Sequence, residues 1–106
     1  MVRATYRVNG DVHTLTVIGH ANYAPYGKDI VCAGVSALVQ ALIGWIEYNY
    51  YKAECISVDH NDSEVIVSCA GGDDVAAVFK MAYIGLAQLS DCYQDYVEIN
   101  TLGLAE

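Results

Sequence analysis

From Val2 to Val8 the apolar residues fall at every second position, whereas from Val31 to Ile46 they recur at intervals of three and four. That change of period constrains the fold more than any other feature. A strand turns the same face outward every two residues, and a helix does so every three to four. Val2, Ala4, Tyr6 and Val8 alternate with Arg3, Thr5 and Arg7, so the first run reads as a strand with one buried face. Asn9-Gly10 follows and signals a tight hairpin, with both residues as turn positions that need positive φ. A return strand from Val12 to Ile18 ends at Gly19-His20. The residues 21–28 that come next are a loop by composition and hold Pro25, the chain's one proline. A helix then begins near Asp29 and reaches about Tyr50, with Val31, Val35, Leu38, Val39, Leu42 and Ile46 on its core face.

The same pattern returns in the second half. Cys55 to Asp59 and Glu64 to Cys69 read as a second hairpin, turning at His60-Asn61-Asp62. Gly71-Gly72 breaks the chain, and Asp73 and Asp74 open a second helix, where negative charge suits the N-terminal dipole. Its apolar stripe is Val75, Val78, Phe79, Ala82, Leu86 and Leu89. A short strand from Tyr96 to Asn100 closes the order ββαββαβ. Such an order predicts an α+β two-layer sandwich, with both helices packed on one face of a mostly antiparallel sheet. The 106 residues fit one domain, spanning 1–106. Ala33, Ala37, Ala41 and Trp45 lie off the first helix's main stripe, which points to a second buried surface such as a homodimer contact.

Charge narrows the partners. Thirteen acidic residues against five basic ones give a net charge of -8. This argues against a phosphate-binding surface, so no direct contact with nucleic acid is expected, and against docking on anionic lipid. It favours encounter with a basic partner. The apolar stretch from Ile30 to Ile46 is interrupted by Cys32, Gly34, Ser36, Gln40 and Gly44, which reads as too mixed for a membrane span. No charged-then-apolar leader opens the sequence, so a cytoplasmic location is the expectation. Cys32, Cys55, Cys69 and Cys92 are spaced by 23, 14 and 23 residues, unlike the closely paired ligands of zinc sites. Neither a metal nor another cofactor is expected. Cys55 and Cys69 read as small buried strand residues.

Cys32 differs in context. With Asp29 as N-cap of the first helix, Cys32 falls in the first helical turn. Unpaired N–H groups and the positive end of the dipole favour thiolate over thiol there. The same N–H groups are suited to bind the oxyanion of an attacked carbonyl. A nucleophilic thiol also needs a proton carrier. His20, 12 residues earlier at a strand end, can reach the helix start if the loop folds back. His13 within a strand and His60 in a turn are less naturally placed but are not eliminated by sequence. The loop would border the site as a lid, with Gly27 giving backbone freedom and Tyr23 and Tyr26 offering apolar surface to a substrate. Ser36 lies one turn after Cys32, within hydrogen-bonding reach, and Asp29 is placed to orient His20 as well as to cap. Each of these residues also has a plain structural role open to it: Cys32 as a packed helix residue, His20 as a strand end, Asp29 as a cap, Ser36 as packing.

Gly19-His20-Ala21, Ala24, Gly27 and the run Asp29-Ile30-Val31-Cys32-Ala33-Gly34-Val35-Ser36-Ala37-Leu38 resemble the signature of the ribosomal-processing cysteine protease family, Prp. The resemblance implies a cysteine endopeptidase with a Cys32–His20 dyad, supporting roles for Asp29 and Ser36, and a mobile loop between the pair. It further implies a homodimer that removes a short N-terminal extension from large-subunit ribosomal protein number twenty-seven. That basic substrate agrees with the charge of the chain. Two other functions share these residues: a non-enzymatic ribosome-assembly factor of the same fold, and a thiol redox sensor. The second needs a resolving thiol near Cys32, and the sequence supplies none close by.

Overall fold

The computed structural model describes residues 1–25, 27–49, 57–60 and 64–102. Five strands and two helices follow in the order anticipated: β1 (Val2–Asn9), β2 (Val12–Ile18), α1 (Ile30–Asn49), β3 (Ser57–His60), β4 (Glu64–Ala70), α2 (Asp73–Cys92) and β5 (Val97–Leu102). The strands form one sheet in the order β3-β4-β2-β1-β5. Three of its four pairings are antiparallel; β5 lies parallel to β1, with Val2 opposite Val97 and Ala4 opposite Ile99. A parallel partner cannot be reached by a hairpin, and α2 supplies the crossover.

The first hairpin turns one residue later than its sequence indicates. Asn9 pairs with Val12, so Gly10 and Asp11 are the two central residues. Gly10 has φ 63, whereas neither Asn9 nor Asp11 has positive φ. Glycine at the first central position is the requirement of a type II′ turn, which needs only one residue in that region. Asn9 is thereby kept in the ladder. Of the second turn, expected at His60-Asn61-Asp62, His60 belongs instead to β3, opposite Val65, while Asn61 and Asp62 lie outside the described residues, as do Tyr50 and Cys55.

Alternation then decides which face is covered. Val2, Ala4 and Tyr6 of β1, His13, Leu15 and Val17 of β2, Val67 and Cys69 of β4 and Val97 of β5 are all buried. They meet Val31, Val35, Val39, Leu42, Ile43 and Ile46 of α1 and Val75, Phe79, Ala82 and Leu86 of α2 in one core. Both helices therefore cover the same face of the sheet. By length and composition α1 is apolar enough to cross a membrane, at mean hydropathy 1.8, despite its interruptions. Its buried stripe is here the helix side of that core.

The helices approach closely where glycine meets leucine. A Cβ on Gly34 of α1 would stand 3.3 Å from Leu89 Cδ1, and one on Gly85 of α2 would stand 2.6 Å from Leu38 Cδ2. Each leucine thus lies over a notch in the opposite helix. The arrangement fixes α1 on α2, and with it the end of α1 that carries Cys32.

One polar pair sits inside the core. The Tyr6 hydroxyl and His13 Nδ1 are 2.7 Å apart. The register explains why they meet: Tyr6 faces Leu15 and Val8 faces His13, so the pair is diagonal on the buried face. Phe79 lies against both rings, with centroids 6.0 Å from Tyr6 and 5.6 Å from His13. Burial, and then the charge of Lys80, push His13 below the ordinary imidazole value, while Asp11 opposes them.

Candidate active site

Four consecutive residues set the course of the chain as it leaves β2. Gly19 has φ 96, and a Cβ there would collide with the carbonyl oxygen of Met1. Only glycine fits that corner. His20 follows, exposed, and then Ala21, which is buried at 2% exposure. Asn22 takes φ 57, a left-handed value that asparagine tolerates better than most residues. The chain therefore folds back at Asn22, and the return carries it to the start of α1.

Asp29 ties that return together. Its backbone oxygen accepts the Ala33 N–H at 3.0 Å, the first bond of the helix. Its Oδ1 accepts the Cys32 N–H at 2.8 Å, which is the N-cap geometry anticipated from sequence. Its Oδ2 accepts the Tyr23 N–H at 2.9 Å and the Ala24 N–H at 3.5 Å. One carboxylate thus joins the loop to the turn that carries the thiol. The Cys32 N–H bond is the main cause holding Asp29 below the usual carboxylate value; partial desolvation opposes it, and the N–H groups of Tyr23, Ala24 and Val31 add to it.

Cys32 is half-buried, and His20 and Cys32 line one cavity of about 520 Å³. Asp29, Ser36, Gly27, Lys28, Ile30 and Ala33 also border it. The loop does fold back, so the strand end and the helix start share a site. Among the described residues no hydrogen bond joins His20 to Asp29, and none joins Ser36 to Cys32. Asp29 is turned instead to backbone N–H groups. The Cys32 N–H, taken by Asp29, is not available to an oxyanion.

One sequence reading of the loop meets a different geometry. Tyr23 is not part of the cavity wall: its ring packs edge-on against Tyr93 and Tyr96. Tyr26 lies outside the described residues. His13, left open as a proton carrier by sequence, is in the core beside Tyr6, and His60 is the last residue of β3. Cys69 is buried in β4 as anticipated, and Cys92 ends α2. Sequence reasoning did not find Tyr93 and Tyr96 near the site. The paired aromatics just before the last strand were its only signal. No group of three or more His, Cys, Asp or Glu among the described residues is arranged to hold a metal.

A thiol in the first turn of a helix, sharing a cavity with an imidazole on a two-layer α+β fold, is an arrangement suited to thiol-dependent acyl transfer. Residues 1–98 match the family described as Cysteine protease Prp. A Mycoplasma genitalium protein named ribosomal processing cysteine protease Prp is 25% identical over 99 residues, covering 89% of this chain and 93% of that protein. The Bacillus subtilis protein of that name is 49% identical over 41 residues, 37% of each chain. Among solved structures, an essential ribosomal processing protease Prp from Staphylococcus aureus, in complex with a covalently linked product peptide, superposes with a TM-score of 0.80. That likeness is 24% in sequence and covers 95% of this chain and 99% of the other, which establishes the shared fold. The chain belongs to the Prp family of cysteine proteases, and it is a hydrolase.

Proposed function

We propose that this protease removes the N-terminal extension of large-subunit ribosomal protein number twenty-seven, with Cys32 as nucleophile and His20 as proton carrier. The observation that carries the assignment is that these two side chains line one cavity although 12 residues separate them. Cys32 Sγ attacks the scissile carbonyl carbon after His20 takes the thiol proton. The tetrahedral intermediate collapses as His20 returns that proton to the departing amine, leaving a thioester between Cys32 and the extension. Water, losing a proton to His20, attacks the thioester; the extension leaves as a free acid and the proton returns to the thiol. Because Asp29 occupies the Cys32, Val31 and Ala33 N–H groups, the oxyanion falls to the first-turn N–H that Asp29 leaves free, that of Ile30. Ser36 borders the cavity one turn further along and supports substrate or thiol from there.

The net charge of -8 suits a basic ribosomal substrate, which would be met in the cytoplasm as ribosomes assemble. A homodimer is part of the reading. Tyr48, Met81 and Ile84 are 85%, 65% and 57% exposed on the outer sides of the two helices, where a second copy would cover them. Sedimentation velocity tests this, a monomer at micromolar concentration counting against it. The activity itself is tested by mass spectrometry of the extended ribosomal protein after incubation with wild type and with Cys32→Ala. A single N-terminal truncation made only by wild type is the expected result. Absence of cleavage by folded wild type would favour an assembly factor that keeps the fold without the reaction.

A further inference from the structure

The His20 side chain makes no hydrogen bond among the described residues, so its position depends on the backbone that bears it. His20 stands between Gly19, packed beneath the Met1 carbonyl, and buried Ala21. Beyond Ala21, past the corner at Asn22, the next anchored group is Tyr23. Its N–H is held by Asp29, and its ring centroid lies 5.5 Å from that of Tyr93 and 5.1 Å from that of Tyr96, at interplanar angles of 79° and 80°. Both are edge-to-face contacts, the geometry the ring quadrupoles favour.

The turn under Tyr23 is tied by a run of hydrogen bonds. The Tyr93 N–H closes α2 on Leu89 O at 2.8 Å, and Tyr93 O accepts the N–H groups of Tyr96 at 2.9 Å and Val97 at 3.1 Å. Tyr96 O accepts the Val2 N–H at 2.8 Å, and Ser90 Oγ donates to Val97 O at 2.9 Å. This turn joins α2 to β5 and to the first strand, yet neither tyrosine borders the cavity. We propose that Tyr23, Tyr93 and Tyr96 form an aromatic clasp that positions His20 against Cys32, making Tyr93 and Tyr96 positioning residues for the reaction. The inference rests on reading His20 and Cys32 as the reacting pair.

The test is steady-state cleavage by Tyr93→Ala, Tyr93→Phe, Tyr23→Leu and the double variant Tyr23→Leu/Tyr93→Ala, with Cys32→Ala as reference. Loss of the clasp lowers kcat by about tenfold, the scale of one or two lost aromatic contacts, and leaves KM within about twofold. Tyr93→Phe keeps the ring edge and cleaves as wild type. The double variant is no slower than the worse single one, because both act on one contact. Urea unfolding of each variant separates this effect from loss of fold, and Tyr23→Leu decides should Tyr93→Ala not fold. Wild-type kcat in folded Tyr23→Leu overturns the proposal. So does a rise in KM at constant kcat, which would make Tyr23 a substrate contact, or equal loss in Tyr93→Phe and Tyr93→Ala, which would assign the effect to the hydroxyl. If Cys32→Ala itself cleaves, it is the assignment of the reacting pair that fails.

Discussion

Replacing Tyr6 by phenylalanine removes one oxygen from the centre of the core and tests how this small domain tolerates a polar pair there. The hydroxyl is 2.7 Å from His13 Nδ1, and Tyr6 is fully buried. Tyr6→Phe leaves the imidazole nitrogen without a partner, at a cost of about 1–3 kcal/mol. With a urea m-value of about 1–3 kcal/mol per molar, a loss of about 2 kcal/mol moves the unfolding midpoint down by about 1 M. His13→Leu strands the tyrosine hydroxyl instead and is expected to cost a similar amount. The double variant removes both polar groups and leaves an apolar contact among Phe79 and Tyr83. Its loss is therefore expected to fall short of the sum of the singles by about 1 kcal/mol or more. Equilibrium unfolding at pH 8, where His13 is neutral, measures all four corners of the cycle. Additivity to within about 0.5 kcal/mol would refute the reasoning, since it would mean that the two groups do not depend on each other.

Three further outcomes follow from the same structure. His13 is held below the ordinary imidazole value, so its stabilising effect is whole above about pH 6.5 and falls as pH drops towards the folded value, because the unfolded chain binds the proton first. The urea midpoint of wild type is expected to fall more between pH 7 and pH 5 than that of His13→Leu. Gly19→Ala and Gly44→Ala should move stability in opposite directions in the same assay. Gly19 has φ 96 beneath a backbone oxygen and should lose about 1–3 kcal/mol, whereas Gly44 is in mid-helix with nothing within 4 Å and should gain about 1 kcal/mol. Asp29→Asn keeps one acceptor oxygen but turns an amide N–H towards that of Tyr23 or Cys32. It is expected to lower kcat nearly as far as Asp29→Ala, and wild-type kinetics in Asp29→Asn would count against the role of the carboxylate as a tether.

Periodicity carried most of the fold because each buried face repeats at the interval of its element. Val2, Ala4 and Tyr6 are buried on β1, and five of the six residues assigned to the α1 core face are buried as well. The sixth, Leu38, is only half-covered because it lies over Gly85 between the helices, a contact that no pattern within α1 reveals. The hairpin turn was read one residue early, since Asn9-Gly10 and Gly10-Asp11 are both good turn pairs and only the register separates them. At the site, the cap at Asp29 was legible because it is local. Its Oδ2 bonds to Tyr23 and Ala24 were not, because they depend on the fold of the loop. The clasp was least legible of all: Tyr23 meets Tyr93 and Tyr96 from about seventy residues away, a distance at which sequence periodicity carries no information.

On the proposed mechanism Cys32 takes the acyl group while His20 moves the proton. Rapid acid quenching of the enzyme during turnover of the extended ribosomal protein, followed by intact-mass and peptide-mapping measurements, tests it directly. A thioester of the extension on Cys32 is expected, absent in Cys32→Ala and formed far more slowly in His20→Ala. An adduct on Cys92 or Cys69, or undiminished turnover by Cys32→Ala, would contradict it.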